Sequence, residues 1–163
     1  ERYGLLGGRY KRLYREALEK KHENEANHYL NKAIDAYTKG MQQDLNDYFP
    51  SCNLPQLLKA RGSGDDLARA KSIAVVVLAA CERAKSRNIE DVYLNPTLLG
   101  AAFDTEDIDE AKRLTDKITL ENLQQFVLNN TLPDLEQRAR QSKNSFTRKQ
   151  LVALVQRLRV LSE

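Results

Sequence analysis

Apolar residues recur at helical spacing along almost the whole chain, and no run alternates apolar and polar positions as a strand would. Tyr3, Leu6, Tyr10, Leu13, Tyr14 and Leu18 make one face of a helix running from about Tyr3 to Lys20. The polar stretch KKHENEAN interrupts it. A second helix carries Ala26, Tyr29, Leu30, Ala33, Ile34, Tyr37 and Met41 inward. DLNDYFP ends that helix, and Pro50 suits the first turn of the next. The third helix, PSCNLPQLLKARG, stops at Gly62. GDD then caps a fourth, LARAKSIAVVVLAACERAKSR. Its run from Ile73 to Cys81 is apolar on nearly all sides and should be the most buried element. Asn95 and Pro96 read as N-cap and first residue of a fifth helix ending near Asp104, and a sixth runs from about Thr105 to Ile118. TLENLQQFVLNN and TLPDLEQRARQ read as two further helices, the second opened by Thr131. The last helix begins at a capping box of Thr147 and Gln150, with Phe146 stapled to Leu151. Leu151, Leu154, Val155, Leu158 and Leu161 form its apolar face. The fold class is all-α.

The opening YGLLGGRYK raises a separate question, because Gly4, Gly7 and Gly8 resemble a phosphate-binding loop. A P-loop needs Lys and Ser or Thr directly after its last glycine, whereas Gly8 is followed by Arg9 and Tyr10. A dinucleotide fingerprint has another glycine spacing and follows a strand. A helix is the remaining reading. Each internal glycine costs it about 1 kcal/mol relative to alanine, so a neighbouring helix must come close.

Six helices in three pairs suggest a hairpin repeat. Tyr3-x₂-Leu6-Gly7-x₂-Tyr10 fits the first-helix pattern W-x₂-L-G-x₂-Y, with Tyr for Trp. AIDAYTKG fits the second-helix pattern through Ala33, Tyr37 and Gly40. NLPQLLKARG supplies Asn53, Leu54, Leu58 and Gly62 to the next pair, with Pro55 at the glycine position. LLGAAF repeats the Leu-Gly-x₂-aromatic spacing through Leu99, Gly100 and Phe103, and DIDEA follows as a second-helix opening. These are the marks of a tetratricopeptide-like solenoid, in which Gly7 and Gly100 let the two helices of a hairpin touch. The expected architecture is about three antiparallel hairpins in a short right-handed solenoid over residues 1–118, with a helical extension over 119–163 packed on its end.

The ordered set YGLLGGRYK, KAIDAYTKGMQQDLNDYFPSCNLPQLL and PTLLGAAF resembles the tetratricopeptide-like central region of the apoptosis signal-regulating kinases and its bacterial relatives. YFPSCN stands where that family has YPGIN. The resemblance spans roughly residues 1–118. It implies a non-catalytic regulatory scaffold, which in the kinases is linked to TRAF-type adaptors.

Composition narrows the picture without changing it. Charged residues make up 30% and hydrophobic ones 41% of 163 residues, as in a soluble globular chain, and no apolar run is long enough to span a membrane. A start at Glu1, mid-pattern, suggests a fragment of a longer protein. Two cysteines, Cys52 and Cys81, make no disulfide framework, which points to a cytoplasmic setting. HENEANH lacks the H-E-x-x-H spacing for zinc, because Ala26 stands where the second histidine belongs. DTEDIDE has no central glycine for a calcium loop and reads as an acid-rich helix start. No catalytic constellation, cofactor site or metal site emerges, and the chain reads as no enzyme.

Two readings of function follow. In the first, first helices of successive hairpins line a concave groove for a protein or peptide partner or a neighbouring domain. Lys11, Arg12, Cys52, Gln56, Lys59, Thr97 and Asp104 are its candidate contacts, with Gly8 and Ala101 beside them. Lys11, Arg12 and Lys59 would favour an acidic segment. In the second, the chain is the regulatory part of an enzyme or nucleic-acid effector. Arg138, Arg140, Lys143, Arg148, Lys149, Arg157 and Arg159 of its extension would then contact phosphates. A net charge of +3 and a single aromatic among those residues weigh against nucleic acid.

Overall fold

A computed structural model describes residues 2–87, 91–121 and 124–161. Among them there are eight helices and no strand: α1 (Arg2–Glu19), α2 (Glu23–Gln43), α3 (Tyr48–Arg61), α4 (Asp66–Ser86), α5 (Leu94–Thr105), α6 (Ile108–Leu120), α7 (Gln125–Gln141) and α8 (Ser145–Val160). They form two compact units, Glu1–Ala80 and Cys81–Glu163, and the division falls inside α4.

In the first unit α1 and α2 pack side by side, and α3 packs on α2. The α1–α2 turn closes through Lys21, whose φ of 59° is left-handed. The next N–H, of His22, reaches back to Ala17 O at 2.9 Å. The buried stripe of α1 is Gly4, Gly7, Lys11, Tyr14 and Ala17. Tyr3, Tyr10 and Leu13 are half-buried beside it, while Leu6 and Leu18 are exposed. The apolar face expected from the sequence is therefore rotated toward the glycines. Steric fit decides this. A Cβ on Gly7 would sit 2.7 Å from the Tyr37 ring, and one on Gly4 would sit 2.9 Å from Phe49. On α2, Gly40 meets Pro50 in the same way, at 2.9 Å. Three small positions thus let aromatic and proline rings press onto helix backbone.

α3 starts at Tyr48, two residues before Pro50, because Asp47 caps it by accepting from Phe49 N at 3.0 Å. Its end is as expected, with Gly62 left-handed at φ 61° and bonded to Leu58 O. The corner to α4 is locked by Asp66. Its carboxylate accepts from Arg61 Nη2 (2.6 Å), Arg61 Nε (2.7 Å) and Ser63 N (3.0 Å). These bonds, the guanidinium first, hold the Asp66 carboxyl below the usual carboxylate range. α4 is not the most buried helix. Ala70, Ile73, Ala74, Val77, Ala80, Cys81 and Ala84 are buried as one stripe, but Val75 is 62% exposed. The deepest helices are α3 and α5, each buried over most of its length.

In the second unit α5 packs on α6 and α7, and α8 packs on α6 and α7. The α5–α6 turn repeats the first: Glu106 is left-handed at φ 58°, and Asp107 N reaches Ala102 O at 2.9 Å. Asp107, not Thr105, opens α6 and accepts from Glu110 N. Tyr93 occupies the N-cap of α5 in place of Asn95. Asn95 lies two residues further on, within the first turn, donating to Glu121 Oε2 at 2.8 Å. The two helices expected between 119 and 141 are corrected: α6 runs on to Leu120, and α7 is continuous from Gln125 through Pro133, while Asn122 and Leu123 lie outside the described residues. Pro133 lies on the exposed side, where water can take the place of its missing donor. Thr131 does not open a helix; its hydroxyl bonds back to Val127 O at 2.7 Å. At α8 the cap is Asn144, which accepts from Phe146 N and Thr147 N, a contribution of about 1 kcal/mol. Phe146 is 69% exposed and staples nothing.

Candidate functional site

The residues expected along a groove divide by burial. Lys11 is only 7% exposed; its ammonium donates to Asn53 Oδ1 at 2.7 Å, tying α1 to α3. Asn53 in turn donates to Phe49 O at 2.8 Å. Gln56 is fully buried on the same helix. Asp104 is buried in the second unit, where it accepts from Arg138 Nε at 2.9 Å, tying α5 to α7. Lys11, Gln56 and Asp104 are therefore not contacts on an open surface: each is taken up inside its unit.

Arg12 is exposed and lies 3.9 Å from Glu16. Cys52 and Lys59 are half-buried on α3, and Thr97 is half-buried on α5. The Cys52 thiol donates to Phe49 O at 3.3 Å, and its sulfur lies 3.5 Å from Asn53 Nδ2. In the first unit, then, the Lys11–Asn53 bond runs between α1 and α3. Arg12 flanks it on α1, and Cys52 and Lys59 flank it on α3.

Gly100 is a packing glycine, but its neighbour is not the other helix of its hairpin. A Cβ there would meet the guanidinium carbon of Arg138 on α7 at 3.3 Å. Gly100 and Asp104, one helical turn apart on α5, make a seat for that side chain: no Cβ below it and a carboxylate at its end. Sequence reasoning had Asn53 only as a motif residue and Arg138 only as a phosphate contact, and missed the buried bonds that each makes. The only available signal was the Gly-x₃-Asp spacing, which is weak alone.

The remaining chemistry is surface chemistry. His22 lies 3.2 Å from Glu25, both exposed. No group of three metal-binding side chains occurs among the described residues. Much of the basic extension is occupied: Arg140 and Arg159 meet Glu136, Arg157 meets Asp116 at 2.8 Å, and Arg138 is buried. Lys143, Arg148 and Lys149 are exposed and make no ion pair among the described residues.

Residues 1–58 match the model of the Tetratricopeptide Repeats-Sensor family. The match ends within α3 and takes in the whole glycine-packed α1–α2 hairpin. Neither a curated protein nor a solved structure matches the chain. The described residues make an all-α, TPR-like helical repeat fold, and the TPR-type region at residues 1–58 is of a kind that suggests a protein–protein interaction module. No helix among the described residues is long and apolar enough to cross a membrane.

Proposed function

We propose that this chain is a non-catalytic regulatory scaffold within a larger multidomain protein of the signalling type, acting in the cytoplasm. The observation that carries the reading is the glycine-packed hairpin matched by a family named for a sensor role. The similarity of YGLLGGRYK and the segments after it to the central region of apoptosis signal-regulating kinases supports the same class. In this reading residues 1–118 are the repeat region and 119–163 the extension. The packing of α7 and α8 on α5 and α6 supports that role for the extension.

The partner surface is the α1–α3 seam of the first unit, with Arg12, Cys52 and Lys59 as contacts and an acidic segment as the ligand. Thr97, half-buried on α5, is a separate candidate contact within the second unit. Each exposed charge pair contributes roughly 0.2–1 kcal/mol. The test is a pulldown from cell extract with the 163-residue chain as bait, repeated with Arg12→Glu and Lys59→Glu together. The variant should lose the acidic partner, and the loss should be larger at low salt than at high salt. Recovery of every partner at unchanged levels at both salts would remove the seam from consideration.

A further inference from the structure

The side of α1 that faces away from the glycine stripe carries an apolar patch which its own unit does not use. Leu5 is 65% exposed and Leu6 37% exposed. With Arg2 and Arg9 they line one concavity. The fold does not need these leucines to hold α1 in place, because Gly4, Gly7, Tyr14 and Ala17 do that on the other side. Two exposed leucines set between two arginines on one concavity make an apolar patch with cationic ends, the composition of an interaction site.

We propose that this face docks an acidic amphipathic α-helix, whose carboxylates pair with Arg2 and Arg9 across an apolar stripe resting on Leu5 and Leu6. Charge and spacing both select that partner. A second copy using the same face would set arginine against arginine, which is repulsive. Arg2 and Arg9 are seven residues apart, which is two helical turns and about 10.5 Å of rise. A partner helix with acids seven positions apart presents them at the same interval on one side. An extended strand covers about 10 Å in three residues, and residues three apart point to opposite faces. A strand therefore cannot place two carboxylates on both arginines at once. Arginine also suits the task, since its planar fork takes a carboxylate with two parallel bonds.

The experiment uses the full chain and three synthetic stapled helices sharing one leucine stripe. The first has glutamates seven positions apart flanking the stripe. The second has lysines there. The third has one glutamate moved to the opposite side. Methyl NMR of Leu5 and Leu6 locates binding, and fluorescence anisotropy measures it. The first helix should shift both leucine methyls and bind about 2- to 30-fold more tightly than the lysine helix, as two exposed charge contacts imply. It should also outbind the third. Changing Arg2 and Arg9 together to Glu should invert the preference in favour of the lysine helix, and that inversion shows the variant is still folded. Arg12 is left untouched, so the result is independent of the α1–α3 seam. Equal binding of all three helices, or shifts that avoid Leu5 and Leu6, would overturn the proposal. So would leucine shifts that grow with protein concentration alone, since a second copy would then be the occupant.

Discussion

Gly7 and Gly8 are adjacent, both helical, and should respond to the same substitution with opposite signs. Alanine at either position gains helix propensity, about 1 kcal/mol in each case. The surroundings differ. A Cβ on Gly7 would lie 2.7–2.8 Å from three carbons of the Tyr37 ring, where ordinary contact needs about 3.5–4.0 Å. Tyr37 is 2% exposed and cannot swing aside, so α1 must lift away from α2. Overpacking of this kind costs about 1–3 kcal/mol. A Cβ on Gly8 meets only the Tyr37 hydroxyl, at an ordinary 3.6 Å. Gly8→Ala should therefore stabilise by up to about 1 kcal/mol, and Gly7→Ala should be neutral to about 2 kcal/mol destabilising. The propensity gain cancels in the difference between the two variants, which isolates the ring contact at about 1–3 kcal/mol. Urea unfolding followed by tyrosine fluorescence suits the measurement. Tyr3, Tyr10, Tyr14, Tyr29, Tyr37 and Tyr48 of the chain's 7 tyrosines lie in the first unit, and there is no tryptophan to mask them. For a slope near 2 kcal/mol per molar, the midpoints should differ by about 0.5–1.5 M. If both alanines stabilise equally, α1 does not rest on Tyr37 through Gly7, and the close-packed hairpin is wrong.

Two other predictions concern the buried charges. Asp104→Asn takes the carboxylate away from a buried guanidinium and should destabilise by about 3 kcal/mol in urea unfolding followed by far-ultraviolet circular dichroism; a loss under 1 kcal/mol would mean the pair is solvated. Asp66→Asn should cost about 1–3 kcal/mol at pH 7. Since the folded Asp66 carboxyl is held below its ordinary value of about 3.9, its contribution is complete above that pH and disappears as pH falls through the lowered folded value. The gap between wild type and Asp66→Asn in urea midpoint should thus be constant near neutrality and close in acid. A gap that widens in acid would reverse the assignment.

Helix boundaries were legible where local chemistry sets them. Gly62 ends α3 because a left-handed residue closes the helix, and that rule needs no knowledge of the rest of the chain. The face of α1 was not legible. Hydropathy ranks Leu6 and Leu18 above glycine, whereas packing here depends on which position adds no side chain beneath the Tyr37 ring. Burial of Lys11 was hidden for a related reason. A lysine reads as a surface residue unless its partner is known, and Asn53 lies 42 residues away. The capping box placed the start of α8 at Thr147, whereas Asn144 supplies the cap. The choice between them depended on which oxygen reached the free N–H groups, and a capping-box pattern does not settle that.

The two buried clamps follow one rule, which becomes visible when the Leu-Gly-x₂-aromatic segments are superposed in register. Lys11 follows Tyr10 and lies one turn beyond Gly7; Asp104 follows Phe103 and lies one turn beyond Gly100. At the same motif position, each first helix places a charged side chain indoors and spends it on a helix outside its own hairpin: Lys11 on Asn53 of α3, Asp104 on Arg138 of α7. In the second unit the glycine and the clamp act on one neighbour: Gly100 makes room for Arg138, and Asp104, one turn later, fixes it by a directional bond. In the first unit they divide the work: Gly7 admits Tyr37 of α2, and Lys11 fixes Asn53 of α3. The charges at the two equivalent positions are opposite, and the reach comes from the lysine in one pair and from the partner arginine in the other. The position reads as a groove contact only if the first helices line open space. Here a helix beyond the hairpin already fills it, and exposure is retained at Arg12 and in part at Cys52 and Lys59.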